Sequence, residues 1–185
     1  MATEEPPFDL ILQEGAFEIR DYKARVVAEV TVPGDQKTAA TAGFKILAGY
    51  IFGANTGQQG IAMTAPVAQT KSQKIAMTAP VSQTRDDAEW VVRFTMPAGY
   101  TMETLPTPND ARIRLHPVPP ARMAVVRFSG WAVEQDLADK TAELDGFITV
   151  QRLRAIGPPA LAQYNPPWTL WFMRRNEVMR AVEAE

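Results

Sequence analysis

The chain has no cysteine in its 185 residues. Disulfides, thiolate chemistry and cysteine-based metal sites are therefore excluded. It has one histidine, His116, so any imidazole metal site or Ser–His–Asp arrangement would have to be built around that residue. No apolar run approaches the ~18 residues that a membrane-spanning helix needs. Charge of one sign is lacking as well. Lys+Arg number 19 and Asp+Glu 21, a formal net charge of −2, which gives no overall attraction to nucleic acid or to anionic lipid. The N-terminal MATEEPPFDL has no basic stretch followed by an apolar one, so it does not read as a secretory signal and the expected location is cytoplasmic.

What is present is 46% hydrophobic residues and fifteen prolines, in a length that suits one domain with a substantial core. Proline pairs at 6–7, 119–120, 158–159 and 166–167 mark turns or rigid extended joints, because proline fixes φ and keeps its predecessor out of the helical region. The strongest single signal is a duplication. IAMTAPV stands at 61–67 and again at 75–81. Its apolar residues alternate, a strand period, and the polar AQTKSQK between the copies suggests a hairpin. The proline in each copy argues against a central, fully paired strand. The string holds no acid, base, thiol or imidazole.

Along the chain, residues 1–7 read as a loose arm. Phe17 and Ile19 share one parity and Val26, Ala28, Val30 and Val32 the other, which predicts a turn near Asp21–Arg25. A helix is predicted over 36–52, capped by Asp35 and ended by Gly53, with Ala40, Phe44, Leu47, Ala48 and Ile51 as its apolar stripe. Gly43 and Gly49 inside it suggest close packing. Strands are predicted at 75–81, 89–97, 111–118, 122–129, 160–164 and 170–182. A second helix is predicted at 131–155, with Val133, Leu137, Thr141, Leu144 and Ile148 as its stripe, and with an Asp136–Lys140 pair. Gly157-Pro158-Pro159 is expected to stop it. Each half then reads strand, helix, strand, strand, a βαββ repeat of pattern rather than of sequence. Two such units with hairpin connections give an antiparallel α+β fold.

Several strings together resemble the SOUL haem-binding family: FEIRDY (17–22) before VVAEV (26–30), GFKILAGYIFGAN (43–55), both IAMTAPV copies, WVVRFTMP (90–97) with TLPTP (104–108), VVRFSG (125–130), and YNPPW (164–168) with RRNEV (174–178). They run in family order over nearly the whole chain. The resemblance implies one domain over residues 8–182. Its fold would be a distorted antiparallel β-barrel of two pseudo-symmetric βαββ halves, at about 16–97 and 111–182, flanked by two helices. It also implies non-covalent binding of haem or a related tetrapyrrole without an established reaction. One branch of the family holds porphyrin in an apolar groove beside the first helix, with basic residues for the propionates. Another uses a histidine axial ligand, and this chain has no histidine in or near its first helix. The fold is shared with drug-sensing effector domains of bacterial regulators, so a binding or sensing module for another amphipathic small molecule is the alternative.

By motif position the groove residues are Thr41, Phe44, Ala48 and Gly49, with Lys45 as the cation nearby. Tyr164 and Trp168 flank the prolines of YNPPW and are candidates for the groove mouth. Arg175, in RRNEV, reads either as an anchor for a carboxylated ligand or as part of an ion-paired network with Arg174 and Glu177. Met63, Met77 and His116 are the weak candidates for iron ligation. The methionines fit strand packing better, and His116 shares the outward face of Arg112 and Arg114. Glu29, Glu103, Glu177 and Ser129 form no catalytic constellation in the sequence, so no enzyme activity is expected. The expected partner is a small molecule rather than nucleic acid, with no membrane span and a monomer as the default.

Overall fold

The alternating segments become strands, and nine of them hydrogen-bond into one antiparallel sheet. The computed structural model describes residues 4–57, 72–86, 89–165 and 168–184. In chain order the elements are β1 (Phe8–Glu14), β2 (Phe17–Tyr22), β3 (Arg25–Pro33), α1 (Gln36–Ile51), β4 (Asn55–Thr56), β5 (Val81–Asp86), β6 (Glu89–Thr95), β7 (Thr107–Pro108), β8 (Arg114–Val118), β9 (Ala121–Phe128), α2 (Glu134–Val150), β10 (Leu153–Gln163) and β11 (Asn176–Ala184). The large sheet runs β1-β2-β9-β11-β10-β5-β6-β3-β8, and β4 pairs with β7 apart from it.

Within the sheet, β3-β6-β5 and β9-β11-β10 meet where β5 pairs with β10. α1 lies on β3 and β6, and α2 on β9, β10 and β11. The apolar parity of each strand faces these helices. Ala28, Val30, Trp90, Val92, Phe94, Ala124, Val126, Leu161 and Val178 form one core with Leu47, Ile51, Leu144 and Ile148. Phe17 stacks on Phe147 at 5.0 Å between centroids. A second, smaller cluster of Tyr22, Val125, Ala162 and Met179 lies with Phe8, Met123 and Tyr164. In the register these residues have the parity opposite to the core, so the sheet buries side chains on both faces.

The fold is α+β with two helices, as read from the sequence, but the sheet is not a closed barrel. β1 and β8 are its two edges, and no ladder joins them among the described residues. Both edges are poorly made for closure. β1 carries a register shift between Leu10 and Leu12, and β8 contains Pro117 and is followed by Pro119-Pro120, which cannot donate to a neighbouring strand.

Helix α1 starts as predicted. The Asp35 carboxylate accepts from Thr38 N at 3.0 Å and from the Thr38 hydroxyl at 2.7 Å. α2 is shorter than the predicted 131–155. Asp136 accepts from Val133 N at 3.0 Å rather than pairing with Lys140, whose ammonium goes to Glu143 at 2.8 Å. Val133 is exposed, not part of the buried stripe. The helix gives way at Arg152, whose φ is 54°, so Gly157-Pro158-Pro159 does not stop it.

Those three residues form an irregularity inside β10 instead, where the pairing with β11 shifts between Ile156 and Ala160. β10 pairs with β5 only from Ala160 onward. Both prolines therefore sit where the strand has no second ladder to serve. The predicted strand 75–81 moves to Val81–Asp86. In the second IAMTAPV copy, Ile75 N donates to Ile51 O at 2.8 Å and Thr78 makes a lone bridge to Glu4. The first copy, Met63 and the proposed hairpin lie outside the described residues. The predicted strand 170–182 starts only at Asn176. Residues 4–7, expected within a loose arm, are bonded to the body: Glu4 O accepts from Ala79 N at 2.8 Å, Glu4 Oε1 from Ala98 N at 2.8 Å, Pro7 O from Lys23 N at 3.5 Å, and the Glu5 carboxylate from Arg175 Nη1 at 3.0 and 3.1 Å.

Candidate functional site

Three places on the molecule bear on binding. The first is the outer face of α1. The helix turns Ala39, Gly43, Leu47, Tyr50 and Ile51 inward, and this rotates the stripe predicted from the sequence. Phe44 is left 36% exposed, its edge against Phe94 at 5.5 Å between centroids. Phe52, two turns further on, is 59% exposed. Between them Ala48 is nearly covered, and a Cβ added to Gly49 would meet no atom within 4 Å. Thr41 and Lys45 are exposed beside this strip, and the Thr41 hydroxyl is turned back to Lys37 O at 2.9 Å.

The strip is thus a low apolar saddle with a cation at its rim. It holds no iron ligand of its own. Tyr50 is fully buried and donates to Pro106 O at 2.8 Å. Burial, with some repulsion from Tyr100, pushes its pKa up to about 12, so it is no phenolate. The residues therefore fit a flat apolar ring with an acidic substituent better than they fit the iron.

The second place is a polar cluster on the sheet face away from the helices. Arg20 is 1% exposed. Its Nη1 and Nη2 donate to Glu177 Oε2 and Oε1 at 2.8 and 2.9 Å, its Nε to Glu18 Oε2 at 2.6 Å, and Nη1 also to the Tyr22 hydroxyl at 3.0 Å. Phe8 covers the guanidinium with its ring centroid at 4.5 Å. Glu177 is completely buried and accepts further from the Tyr164 hydroxyl at 2.6 Å and from Arg175 Nε at 3.0 Å. Burial drives the Glu177 carboxyl upward in pKa. The hydrogen bonds from Arg20 and Tyr164 and the charges of Arg20 and Arg175 outweigh it, leaving Glu177 below the usual carboxylate range. Burial and the charge of Glu177 together push the Tyr164 phenol up.

Arg175 is committed here. It also pairs with Glu5 at 3.0 Å and lies over the Tyr164 ring at 3.8 Å. Within RRNEV, Arg175 and Glu177 are ion-paired, while Arg174 donates to Thr169 O at 2.8 Å and lies over the Trp131 ring. Tyr164 is held in the same network, while Trp168 is 82% exposed. α1 packs on β3 and β6, whereas Tyr164 and Arg175 bond to Glu177 on the sheet face away from the helices. The two groups of predicted site residues therefore lie in separate places.

Third, a cavity of about 420 Å³ opens between residues 4–7, the start of β3 and the loop after β6. Pro6, Pro7, Val26, Met96, Tyr100 and Met102 line it, with Arg25 and the carboxylates of Glu4, Glu5 and Glu103. Sequence reasoning missed it, because it is made by a terminal arm folding back over a loop, and neither segment has a periodic pattern.

His116 Nε2 lies 3.0 Å from Glu29 Oε2, a contact by distance that is not aligned as a hydrogen bond. Arg93 donates to the same oxygen at 2.8 Å. Burial opposes the Glu29 charge, yet His116 and Arg93 hold its carboxyl below the usual range. Glu29, His116 and Arg93 do converge, but none lines the cavity. Among the described residues no three carboxylates or imidazoles are grouped to hold a metal ion. Met77 is 36% exposed. No helix among the described residues is long and apolar enough to cross a membrane.

A model of the SOUL heme-binding protein family matches residues 3–181. No curated protein matches the chain by sequence. Among solved structures, the EcmrR C-terminal domain is similar over 96% of this chain and 99% of that chain, with a TM-score of 0.63 and 10% identity. EcmrR in a cryo-EM complex with DNA is similar over 91% of this chain and 57% of that chain, with a TM-score of 0.62 and 12% identity. A hydrolase from Listeria innocua is similar over 99% and 94%, with a TM-score of 0.55 and 11% identity. At such identities the likeness is one of fold alone.

Proposed function

The chain belongs to the SOUL heme-binding protein family, and on that premise we propose that it binds haem or a related tetrapyrrole, without catalysis, on the outer face of α1. One observation carries this reading. Two phenylalanines, Phe44 and Phe52, stay exposed on either side of Ala48 and Gly49, where a soluble helix would ordinarily present polar side chains. A porphyrin ring laid on that strip would cover both, and Lys45 would meet a propionate, with Thr41 beside it. Haem would supply its own iron, but α1 offers no axial ligand.

Tyr164, Trp168 and Arg175 enter this reading only as a second surface, since the first and last are already bound to Glu177. The pseudo-symmetry of two βαββ halves within one domain over 8–182 belongs to the same proposal. The matching internal orders β3-β6-β5 and β9-β11-β10 support it.

Hemin titration should give a saturable Soret shift at micromolar protein. Phe44→Ala should weaken binding by about tenfold, the loss expected from uncovering one aromatic contact. His116→Ala should leave the spectrum unchanged. Absence of a saturable shift overturns the haem reading.

A second reading rests on the cavity. Its apolar lining and its excess of carboxylates over guanidinium suit an amphipathic cation. Stabilisation in a thermal-shift assay by lipophilic cations, and not by hemin, is the outcome that favours it.

A further inference from the structure

The cavity between residues 4–7, the start of β3 and the loop after β6 contains a cation that nothing in the chain pairs. Arg25, the first residue of β3, lines it. Among the described residues Arg25 makes no hydrogen bond through its side chain and no ion pair, and its Nη1 is shut off from solvent. The Tyr22 ring lies 5.3 Å from the guanidinium carbon. Burial pulls the Arg25 pKa down; the Tyr22 phenol opposes this, and the charge of Arg93 adds to it. Other arginines of the sheet are placed differently. Arg20, Arg93, Arg122, Arg127 and Arg175 each reach a carboxylate. A guanidinium carries its donors in a rigid fork made for a planar acid group. A buried donor left over in a folded chain calls for an acceptor from outside it.

The carboxylates of the same cavity do not fill that role. Glu5 is taken by Arg175 at 3.0 Å. Glu4 accepts from Ala98 N at 2.8 Å. A hydrogen bond from the Thr101 side chain holds the Glu103 carboxyl below its usual range. Glu4 and Glu103 are exposed and form no ion pair among the described residues. The cavity thus presents unpaired charge of both signs. Its guanidinium is partly withdrawn from water, its two free carboxylates are in contact with it, and Pro6, Pro7, Val26, Met96 and Met102 supply apolar surface. A volume of about 420 Å³ suits a small molecule. A ligand with positive charge alone would leave Arg25 as it is, and one with negative charge alone would meet Glu4 and Glu103. We infer that the cavity takes an amphipathic zwitterion, an apolar body carrying a carboxylate for Arg25 and an ammonium group for Glu4 or Glu103.

The inference rests on the reading of this cavity as a site for an amphipathic cation, and it adds a second charge to that ligand. Its test compares two probes on the whole protein without haem. Decyltrimethylammonium and N-decyl-N,N-dimethylglycine share the chain and the quaternary nitrogen and differ in the carboxylate. Titration calorimetry below their micellar concentrations therefore isolates the contact with Arg25. The zwitterion should bind about tenfold more tightly than the cation, the gain expected from one charge-assisted hydrogen bond made away from bulk water. Arg25→Gln should remove that preference and leave the affinity for the cation unchanged or higher. Equal or weaker binding of the zwitterion by the wild type overturns the inference and leaves the cation reading in place, as does a preference that survives in Arg25→Gln. Binding of neither probe overturns both. The comparison within the wild type decides the matter even if Arg25→Gln folds poorly.

Discussion

Replacing Arg20 with methionine is expected to destabilise the protein by roughly 3–5 kcal/mol, the cost of leaving a buried charge without its partner. In a chain of this size that corresponds to a fall in Tm on the order of 10 °C. The reason lies in how many groups depend on one guanidinium. Arg20 holds Glu177, Glu18 and Tyr22 at 2.6–3.0 Å with 1% of its surface exposed. Methionine fills much the same volume and keeps the packing under Phe8. It leaves Glu177, which is 0% exposed, to Tyr164 and Arg175, with Arg127 more distant at 3.7 Å. The double variant Arg20→Met/Glu177→Leu should recover much of the loss, because an apolar replacement of both members of a buried pair is often neutral. A double-mutant cycle by urea denaturation measures this. If the double variant is as unstable as the sum of the single ones, the network is not the source of the loss.

The same pair fixes the sign of a pH effect. In the wild type the folded Glu177 carboxyl lies below its ordinary range. Its contribution to stability is therefore complete above the unfolded value, near ~4.3, and is lost as pH falls through the folded value. Glu29, held down in the same direction by His116 and Arg93, adds to this acid-side loss. Without Arg20, burial acts on Glu177 with less opposition and raises its folded pKa. A group with a raised folded pKa favours the folded state more as it is protonated, so the variant should lose less on acidification. The stability gap between wild type and Arg20→Met should narrow from ~pH 7 to ~pH 4. A gap that stays constant over that range would assign the effect to packing.

Periodicity made the helices and most of the core legible. Asp35 and the apolar spacing placed α1 within a residue of its observed end. The alternation Trp90, Val92, Phe94, Met96 named side chains that are 2%, 0%, 2% and 4% exposed. What was not legible has two physical origins. β5 carries Ser82, Gln83, Thr84 and Arg85, with no apolar parity to reveal it, because Gln83 is buried by a hydrogen bond to Gln163 at 3.1 Å rather than by its own hydrophobicity. The expected strand 75–81 has the period of two, but among the described residues its positions before Val81 make only a lone bridge, Thr78 to Glu4, and alternation alone cannot supply a ladder.

The polar cluster was hidden in the same way. Glu18, Arg20 and Tyr22 sit on the parity that reads as solvent. Only the strand order, which puts β2 beside β9 and β9 beside β11, brings Glu177 to them from 157 residues away. The apolar side chains of the exposed 170–173 turn read as strand, because hydrophobicity alone does not distinguish a residue facing the core from one facing outward. On α1 the candidate residues were found by motif position. The extra member, Phe52, is the residue after the last turn of α1 and lies off the predicted apolar stripe.

Gly43→Ala and Gly49→Ala are expected to move stability in opposite directions, although both place alanine in the same helix. Alanine is favoured over glycine in a helix interior by ~1 kcal/mol, and that gain applies to both. At Gly49 nothing opposes it, since an added Cβ meets no atom within 4 Å, so Gly49→Ala should stabilise by about 0.5–1 kcal/mol. At Gly43 the added Cβ would stand 2.6 Å from Val92 Cγ2 and 2.7 Å from Val92 Cβ. Val92 is 0% exposed at the centre of β6 and is stiff at χ1, so α1 must lift from the sheet or Val92 must leave its rotamer. Overpacking of this kind costs ~1–3 kcal/mol, which exceeds the propensity gain over most of that range and leaves a net loss of up to about 2 kcal/mol. Val92→Ala in the Gly43→Ala background removes the opposing methyl groups. It should return part of the loss, and Val92→Ala alone should be destabilising through its cavity. Denaturation midpoints of the four proteins decide the matter. A Gly43→Ala protein as stable as Gly49→Ala would mean that α1 does not ride on β6 through Gly43, and with it would go the close helix–sheet contact that sets how Phe44 and Phe52 are presented to a ligand.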